Sequence, residues 1–195
     1  WLHDGKMISP GEFIPLFEKN GFITELDLYV WEEVCKTMAF WKKKGLPSIS
    51  VSVNLSRADF GKYHLAQKIQ NLADKYEIPH ELLHLEVTES AYTDNAEQII
   101  HVVDELREMG FKIEMDDFGA GYSSLNMLNE LSIDVLKLDM RFVQTKSFTR
   151  NKSILRFIIS LSKWMNLITV AEGAETKEQV DELRSLGCDY VQGYY

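Results

Sequence analysis

Cysteine is nearly absent from this sequence: Cys35 and Cys188 are the only two in 195 residues. Two cysteines cannot build a disulfide framework or a thiolate zinc site, and they are expected as buried, reduced thiols of a cytosolic protein. Positive charge is also scarce. Lysine and arginine number 21 against 30 acidic residues, a net charge of −9. That balance argues against sequence-independent binding to a DNA or RNA polymer and against direct contact with an anionic membrane. An acidic site can still take a phosphate substrate through bound cations, which reverse its local sign. Long apolar runs are missing too. The most apolar stretch, Ile154 to Ala171, is broken by Arg156 and Lys163, short of the roughly 18 residues a membrane span needs. Trp1 to Gly11 has no basic region followed by an apolar one, so no signal peptide is expected. The five histidines (His3, His64, His80, His84 and His101) are scattered, without a metal-binding spacing such as HExxH.

What is present is 45% apolar and 26% charged, the composition of a globular chain of one domain's length. The chain opens on Trp1 rather than Met and closes on Tyr194-Tyr195 in mid-pattern, and it reads as a fragment. Ser9-Pro10-Gly11-Glu12 places an N-cap, a proline at the first helical position and an acid three residues after the cap. The helix that follows is expected to stop near Asn20-Gly21. A second helix starts near Thr24 and ends in Lys42-Lys43-Lys44-Gly45, where the lysines suit the negative end of the macrodipole better than they suit a binding patch.

From Ile49 onward, apolar β-type runs recur at Ile49–Val53, Leu83–Val87, Phe111–Met115, Val135–Leu138, Leu167–Ala171 and Tyr190–Val191. Helical patterns separate them at about 63–76, 94–109, 122–131, 151–165 and 176–186, with Gly110 and Gly187 where C-caps belong. Strands alternating with helices of this length mean βαβ units and a parallel sheet. Six strands suit an open doubly wound sheet, whereas a closed (β/α)₈ barrel needs two more.

The polar residues discriminate between these. Asn54, Glu86 with Glu89, Asp116-Asp117, Lys137 with Asp139, Glu172 and Gln192 each stand at or near the carboxyl end of a different candidate strand. In a barrel those ends converge on one mouth; in an open sheet only the ends beside the switch point meet. Six marked ends favour the barrel. Asp134 and Asp189 read as capping residues. Lys137 lies between Leu136 and Leu138 in a run that reads as buried, and a lysine is rarely buried without a partner. Period-two alternation puts it on one face with Asp139, Ser52 on one face with Asn54, and His84 with Glu86. Asn54, Glu86, Asp116, Asp117 and Glu172 form an all-oxygen donor set. Such carboxylates crowd one mouth as anions only with cations between them, and Mg²⁺ or Mn²⁺ fits that chemistry better than structural zinc. The adjacent pair Asp116-Asp117 lets one carboxylate bridge two metals. Phe118-Gly119-Ala120-Gly121 is a weak glycine-loop signal, as compatible with a loop over the site as with a phosphate cradle.

These residues carry a family resemblance. Val53-Asn54-Leu55-Ser56, Leu85-Glu86-Val87-Thr88-Glu89-Ser90, Asp116-Asp117-Phe118-Gly119-Ala120-Gly121-Tyr122-Ser123-Ser124, Leu136-Lys137-Leu138-Asp139, Ala171-Glu172-Gly173-Ala174-Glu175 and Gln192-Gly193-Tyr194 resemble, in order, the motifs of the EAL-domain family. These are bacterial phosphodiesterases acting on cyclic di-GMP. The segment Ile8-Ser9-Pro10-Gly11-Glu12-Phe13-Ile14-Pro15 is similar to the stretch after that family's signature strand. The resemblance implies an α/β, (β/α)₈ TIM-like barrel of the EAL type over residues 1–195. It would be incomplete at the N-terminus, where the Glu-Ala-Leu strand and its metal-ligating Glu are missing, and clipped at the C-terminus.

It also implies two Mg²⁺ or Mn²⁺ ions and hydrolysis of cyclic di-GMP to linear pGpG by the complete domain, the fragment as given being expected inactive. By that resemblance Asn54, Glu86 and Asp116 bind the first metal, and Asp116 bridges to Asp117 at the second. Glu172 supports metal and water. Lys137 orients or deprotonates the attacking water, with Asp139 beside it at the site and near the substrate. Glu175 and Gln192 contact the nucleotide, and Glu89 holds the loop at Phe118, Gly119 and on to Tyr122. The setting implied is a bacterial cytoplasm, with a homodimer in the complete form and GGDEF or sensory domains elsewhere, in a larger or membrane-anchored protein. Ala120, Ala174 and Glu114 depart from the usual family residues. Glu114 shares a face with Asp116, where it either perturbs the site or pairs with a neighbour. Two alternatives stand beside the enzyme: a non-catalytic cyclic di-GMP receptor or interaction module, and, from the residues alone, an enolase-type barrel using Lys137 as a proton-abstracting base.

Overall fold

The computed structural model describes residues 2–3, 5–120, 125–144 and 148–195. A two-stranded antiparallel hairpin, β1 (Leu2–His3) and β2 (Lys6–Met7), precedes two helices, α1 (Pro10–Asn20) and α2 (Ile23–Lys43). Strands β3 (Val51–Leu55), β4 (Leu83–Thr88), β5 (Lys112–Phe118), β6 (Val135–Leu138), β7 (Ile168–Ala174) and β8 (Tyr190–Gly193) then form one parallel sheet in strictly sequential order. Between them run α3 (Arg57–Phe60), α4 (Leu65–Lys75), α5 (Glu89–Asp94), α6 (Ala96–Glu108), α7 (Leu125–Glu130), α8 (Arg141–Gln144), α9 (Phe148–Trp164) and α10 (Lys177–Leu186).

Sequential order means that the sheet of described residues has no topological switch point, so it is the wall of a barrel rather than a doubly wound sheet. Among the described residues β3 and β8 are paired on one side only, and the wall is an arc rather than a closed ring.

The two faces of the wall separate by period two. On β4, Leu83, Leu85 and Val87 are fully buried toward the helices, while His84, Glu86 and Thr88 alternate with them on the inner face. Ile113 and Met115 on β5 and Leu136 and Leu138 on β6 continue the buried layer. Each such side chain contributes about 1.5–3 kcal/mol by leaving water, so a one-residue slip of register, which would turn the layer outward, is strongly disfavoured.

Several local readings need correction. The first long strand starts at Val51, not Ile49. The helix expected over 94–109 is interrupted at Asn95 (φ −155°). A short α5 precedes it, capped by Thr88, whose Oγ1 accepts from Ala91 N–H at 3.3 Å. Residues 121–124, with the start of the helix expected near 122, lie outside the described residues. Ser9 has the extended backbone of an N-cap, but its side chain makes no capping bond; Gly21 (φ 78°) closes α1 as expected. Asp134 and Asp189 are not helix caps. Asp134 accepts from Ile113 N–H (3.1 Å) and Lys112 Nζ (2.9 Å), and Asp189 from Thr169 N–H and Oγ1 (2.8 Å each). Both tie the amino ends of neighbouring strands together. Cys35 is buried and Cys188 only partly so, and both are free thiols.

Helix α2 docks on β3 through Trp31, whose Nε1–H donates to Asn54 O at 3.0 Å. One turn earlier Asp27 is buried against the α3 capping box, in which Asp59 Oδ2 accepts from Ser56 N–H (2.8 Å) and Oγ (2.7 Å). Burial, and then the like charge of Asp59, push the Asp27 carboxyl up to about 7. A raised acid stabilises the fold at a pH below its unfolded value, and that contribution is lost as pH rises through the folded value. Stability is therefore expected to fall by about 2 kcal/mol between pH 5 and pH 7.5. Asp27→Asn should flatten that slope in denaturant titrations at the two pH values, and an unchanged slope would contradict the assignment.

Candidate active site

The carboxyl ends of the strands hold the polar residues singled out above, and the register states which are neighbours. Asn54 lies opposite Glu86, Glu86 opposite Glu114, Thr88 opposite Asp116, and Glu172 opposite Gln192. At the centre stands Lys137 of β6, only 6% exposed. Its Nζ is 3.0 Å from Glu86 Oε1, 2.9 Å from Asp116 Oδ1 and 3.0 Å from Glu172 Oε1. The ammonium thus donates a hydrogen bond to Glu86 and lies within ion-pair distance of Asp116 and Glu172, so carboxylates of β4, β5 and β7 surround it. Burial works against the Lys137 ammonium, but Asp116, Glu86 and Glu172 outweigh it and hold its proton well above the ordinary lysine range.

Adjacent residues on a regular strand point to opposite faces, so Asp116 and Asp117 need a local break to serve one site. The structure supplies it. The β5–β6 register shifts between Met115 and Phe118, and Asp117 takes a left-handed backbone, φ 56°. A matching irregularity follows Glu172 on β7, where Gly173 has φ 76° and an added Cβ would lie 2.5 Å from Met140 Cβ. These two bulges bring carboxylate oxygens of Asp116, Asp117 and Glu172 within 4.8 Å of one another.

Glu86, Asp116, Asp117 and Glu172 carry four negative charges against the single ammonium of Lys137. Burial raises Asp117 above the usual carboxylate range, helped by Asp116 and Asp139. Burial also raises Glu86 and Glu172 although Lys137 opposes it. A compact all-oxygen set with excess negative charge is the donor chemistry of a hard divalent cation, so the residues present fit such an ion.

Asp139 follows directly after β6, and its carboxylate is held by Arg141, whose N–H and Nε–H donate to Oδ1 at 2.7 and 2.8 Å. Glu175 Oε1 accepts from Gln144 Nε2 at 2.9 Å, and Gln192 is exposed at the end of β8. Arg141 and Gln144 were not legible as site residues, because neither stands at a strand end or in a patterned run.

The buried Glu89 reaches across to the loop after β5, where Gly119 N–H donates to its Oε2 at 3.1 Å. Gly119 has φ 96°, and a Cβ there would lie 2.1 Å from Cε2 of the Phe142 ring, so both its backbone and its surroundings favour glycine. Phe118 is buried beside it, while Tyr122 lies outside the described residues. Glu89→Ala should leave the carboxylate cluster in place and remove the Gly119 anchor, a charge-assisted bond of about 1.5–3 kcal/mol. Turnover measured at saturating cation is then expected to fall, and an unchanged rate would contradict the anchoring role.

A family model described as EAL domain matches residues 1–195. The chain belongs to the EAL-domain family. It is 36% identical over 196 residues to the bifunctional diguanylate cyclase/cyclic di-GMP phosphodiesterase MucR of Pseudomonas aeruginosa, a match covering 100% of this chain and 29% of that protein. It is also 36% identical over 193 residues to the signaling protein YkoW of Bacillus subtilis, covering 98% of this chain and 24% of that one. This EAL chain thus spans less than a third of the length of either relative. Among solved structures, the PaMucR phosphodiesterase in complex with c-di-GMP matches with a TM-score of 0.93 at 36% identity, covering 100% of this chain and 79% of that one. The EAL domain of Mycobacterium smegmatis DcpA matches at 0.81 and 29% identity, covering 88% and 78%. In fold the chain is an α/β, TIM-barrel-like EAL structure. No helix among its described residues is long and apolar enough to cross a membrane.

Proposed function

We propose that residues 1–195 belong to one EAL-type phosphodiesterase domain, which in its complete form hydrolyses cyclic di-GMP to linear pGpG with two Mg²⁺ or Mn²⁺ ions. The observation that carries this reading is the convergence of Glu86, Asp116 and Glu172 on Lys137, with Asp117 turned into the same mouth by a bulge. Asp116, Asp117 and Glu172, with Glu86 and Asn54, would hold the ions. When bound, the ions supply Lewis-acid charge for the phosphate and an activated water.

Lys137 remains an ammonium among its carboxylates and orients water and phosphate oxygens as a donor. The enolase-type alternative needs a neutral amine at this position, and three carboxylates within 3.0 Å oppose one. Glu175 and Gln192, at the ends of β7 and β8, would contact the nucleotide. Asp139, anchored by Arg141, shapes the wall beside Phe118, whose carbonyl accepts from Asp139 N–H at 3.2 Å. The setting proposed is a bacterial cytoplasm, with a homodimer in the complete form; further GGDEF or sensory domains accord with the share of the relatives' length that this chain spans.

Chromatography of cyclic di-GMP incubated with the protein and Mg²⁺ or Mn²⁺ tests the proposal. The expected product is pGpG. Nucleotide that is bound but stays intact would instead assign the receptor role.

A further inference from the structure

Ser52, His84 and Glu114 form a second polar cluster, distinct from the carboxylates that Lys137 gathers. Each of them precedes a mouth residue by two on the same strand face: Ser52 before Asn54, His84 before Glu86 and Glu114 before Asp116. Glu114 Oε1 accepts from Ser52 Oγ at 3.1 Å and from His84 Nδ1 at 2.5 Å. A carboxylate only accepts, so Nδ1 of His84 carries the donated proton. Glu114 is nearly buried, its side chain 7% exposed, so its charge is weakly screened by water. The register sets it opposite Glu86 on the neighbouring strand, and like charges so placed repel. Glu86 is also the carboxylate that Lys137 holds at 3.0 Å.

We infer that His84, assisted by Ser52, is a positioning residue that turns the Glu114 carboxylate toward the Ser52–His84 pair, away from Glu86, and so leaves Glu86 free to serve the cation site. The inference rests on the cation reading of the mouth. It has a distinctive consequence: His84 matters only because Glu114 is present. Without His84, the Glu114 carboxylate loses its shorter anchor and competes with Glu86 for Lys137 or repels Glu86 from it. Without both, no charge remains to be restrained.

The test is a double-variant cycle read by calorimetric titration of Mn²⁺ into the nucleotide-free protein, with thermal denaturation alongside. His84→Ala is expected to weaken Mn²⁺ binding about tenfold or more, one close charge contact being worth at least that factor. Glu114→Ala should leave binding within about threefold of the unsubstituted protein, and adding it to His84→Ala should restore binding to the same range. Should His84→Ala fail to fold, Ser52→Ala and Ser52→Ala/Glu114→Ala carry the same cycle, with a smaller loss and the same recovery. A double variant that binds no better than the single one overturns the inference while leaving the cation site standing. If the unsubstituted protein does not bind Mn²⁺, the cation reading falls and the inference with it. If it binds Mn²⁺ and the cycle shows recovery without any cleavage of cyclic di-GMP, the inference holds and the phosphodiesterase reading alone fails.

Discussion

Asp116→Asn is expected to lower kcat for cyclic di-GMP cleavage by about 10²–10³-fold, the usual cost of losing one preorganised electrostatic contact at a reacting centre. Asp116 is the carboxylate shared by both halves of the site: it is 2.9 Å from Lys137 Nζ and within 4.8 Å of donor oxygens on Asp117 and Glu172. Asparagine matches aspartate in shape, so the β5 bulge and the buried layer of Ile113 and Met115 should survive, and thermal denaturation should shift by only a few degrees. What is lost is one negative charge at the point where any cation held by this cluster must be neutralised. Cation affinity should therefore fall together with kcat. Retention of more than a tenth of the original kcat would remove Asp116 from the centre of the chemistry.

Removal of divalent cations should have a still larger effect. In excess chelator, pGpG release is expected to fall below detection, Mg²⁺ or Mn²⁺ should restore it, and Ca²⁺ should inhibit. Four clustered carboxylates face one ammonium in the mouth, and a dianionic substrate entering that field is repelled unless cations reverse its sign. Mg²⁺ keeps a small octahedral shell in which water remains a ligand, whereas Ca²⁺ accepts more oxygens at longer distances and relaxes that geometry. Undiminished turnover in chelator would contradict the donor reading of Asp116, Asp117 and Glu172.

Strands β4 and β6 were the most legible in the sequence because their helix-facing sides are unbroken apolar sets, Leu83, Leu85 and Val87 on one and Leu136 and Leu138 on the other. The barrel was legible because each strand carries a polar residue at or near its carboxyl end. The position of Lys137 between Leu136 and Leu138 pointed to a buried, partnered lysine, and the structure gives it three partners. Pattern alone set Asp139 beside Lys137, but it could not show that a short Asx-type turn lets Arg141, two residues on, bind the Asp139 carboxylate.

Bulges were equally hidden. Period-two logic sends Asp116 and Asp117 to opposite faces, and only the left-handed backbone at Asp117 brings them together. Asp134 and Asp189 looked like helix caps because the same side chain that caps a helix can accept from a neighbouring strand's N–H. Choosing between those partners is a matter of tertiary register. The Glu114 pairing with His84 and Ser52 belongs to the same class, since it joins three strands separated by dozens of residues.

Single-turnover cleavage of cyclic di-GMP in ¹⁸O-labelled water, with Mg²⁺ present and the product read by mass spectrometry, tests the central claim most directly. The proposed hydrolysis would break one P–O3′ bond, leave that oxygen as a hydroxyl and place the water oxygen on phosphorus. The predicted result is linear pGpG carrying one ¹⁸O on its terminal phosphate, formed by the unsubstituted protein and lost in Asp116→Asn. Cyclic di-GMP recovered intact from a saturated complex with Mg²⁺ present would contradict the account.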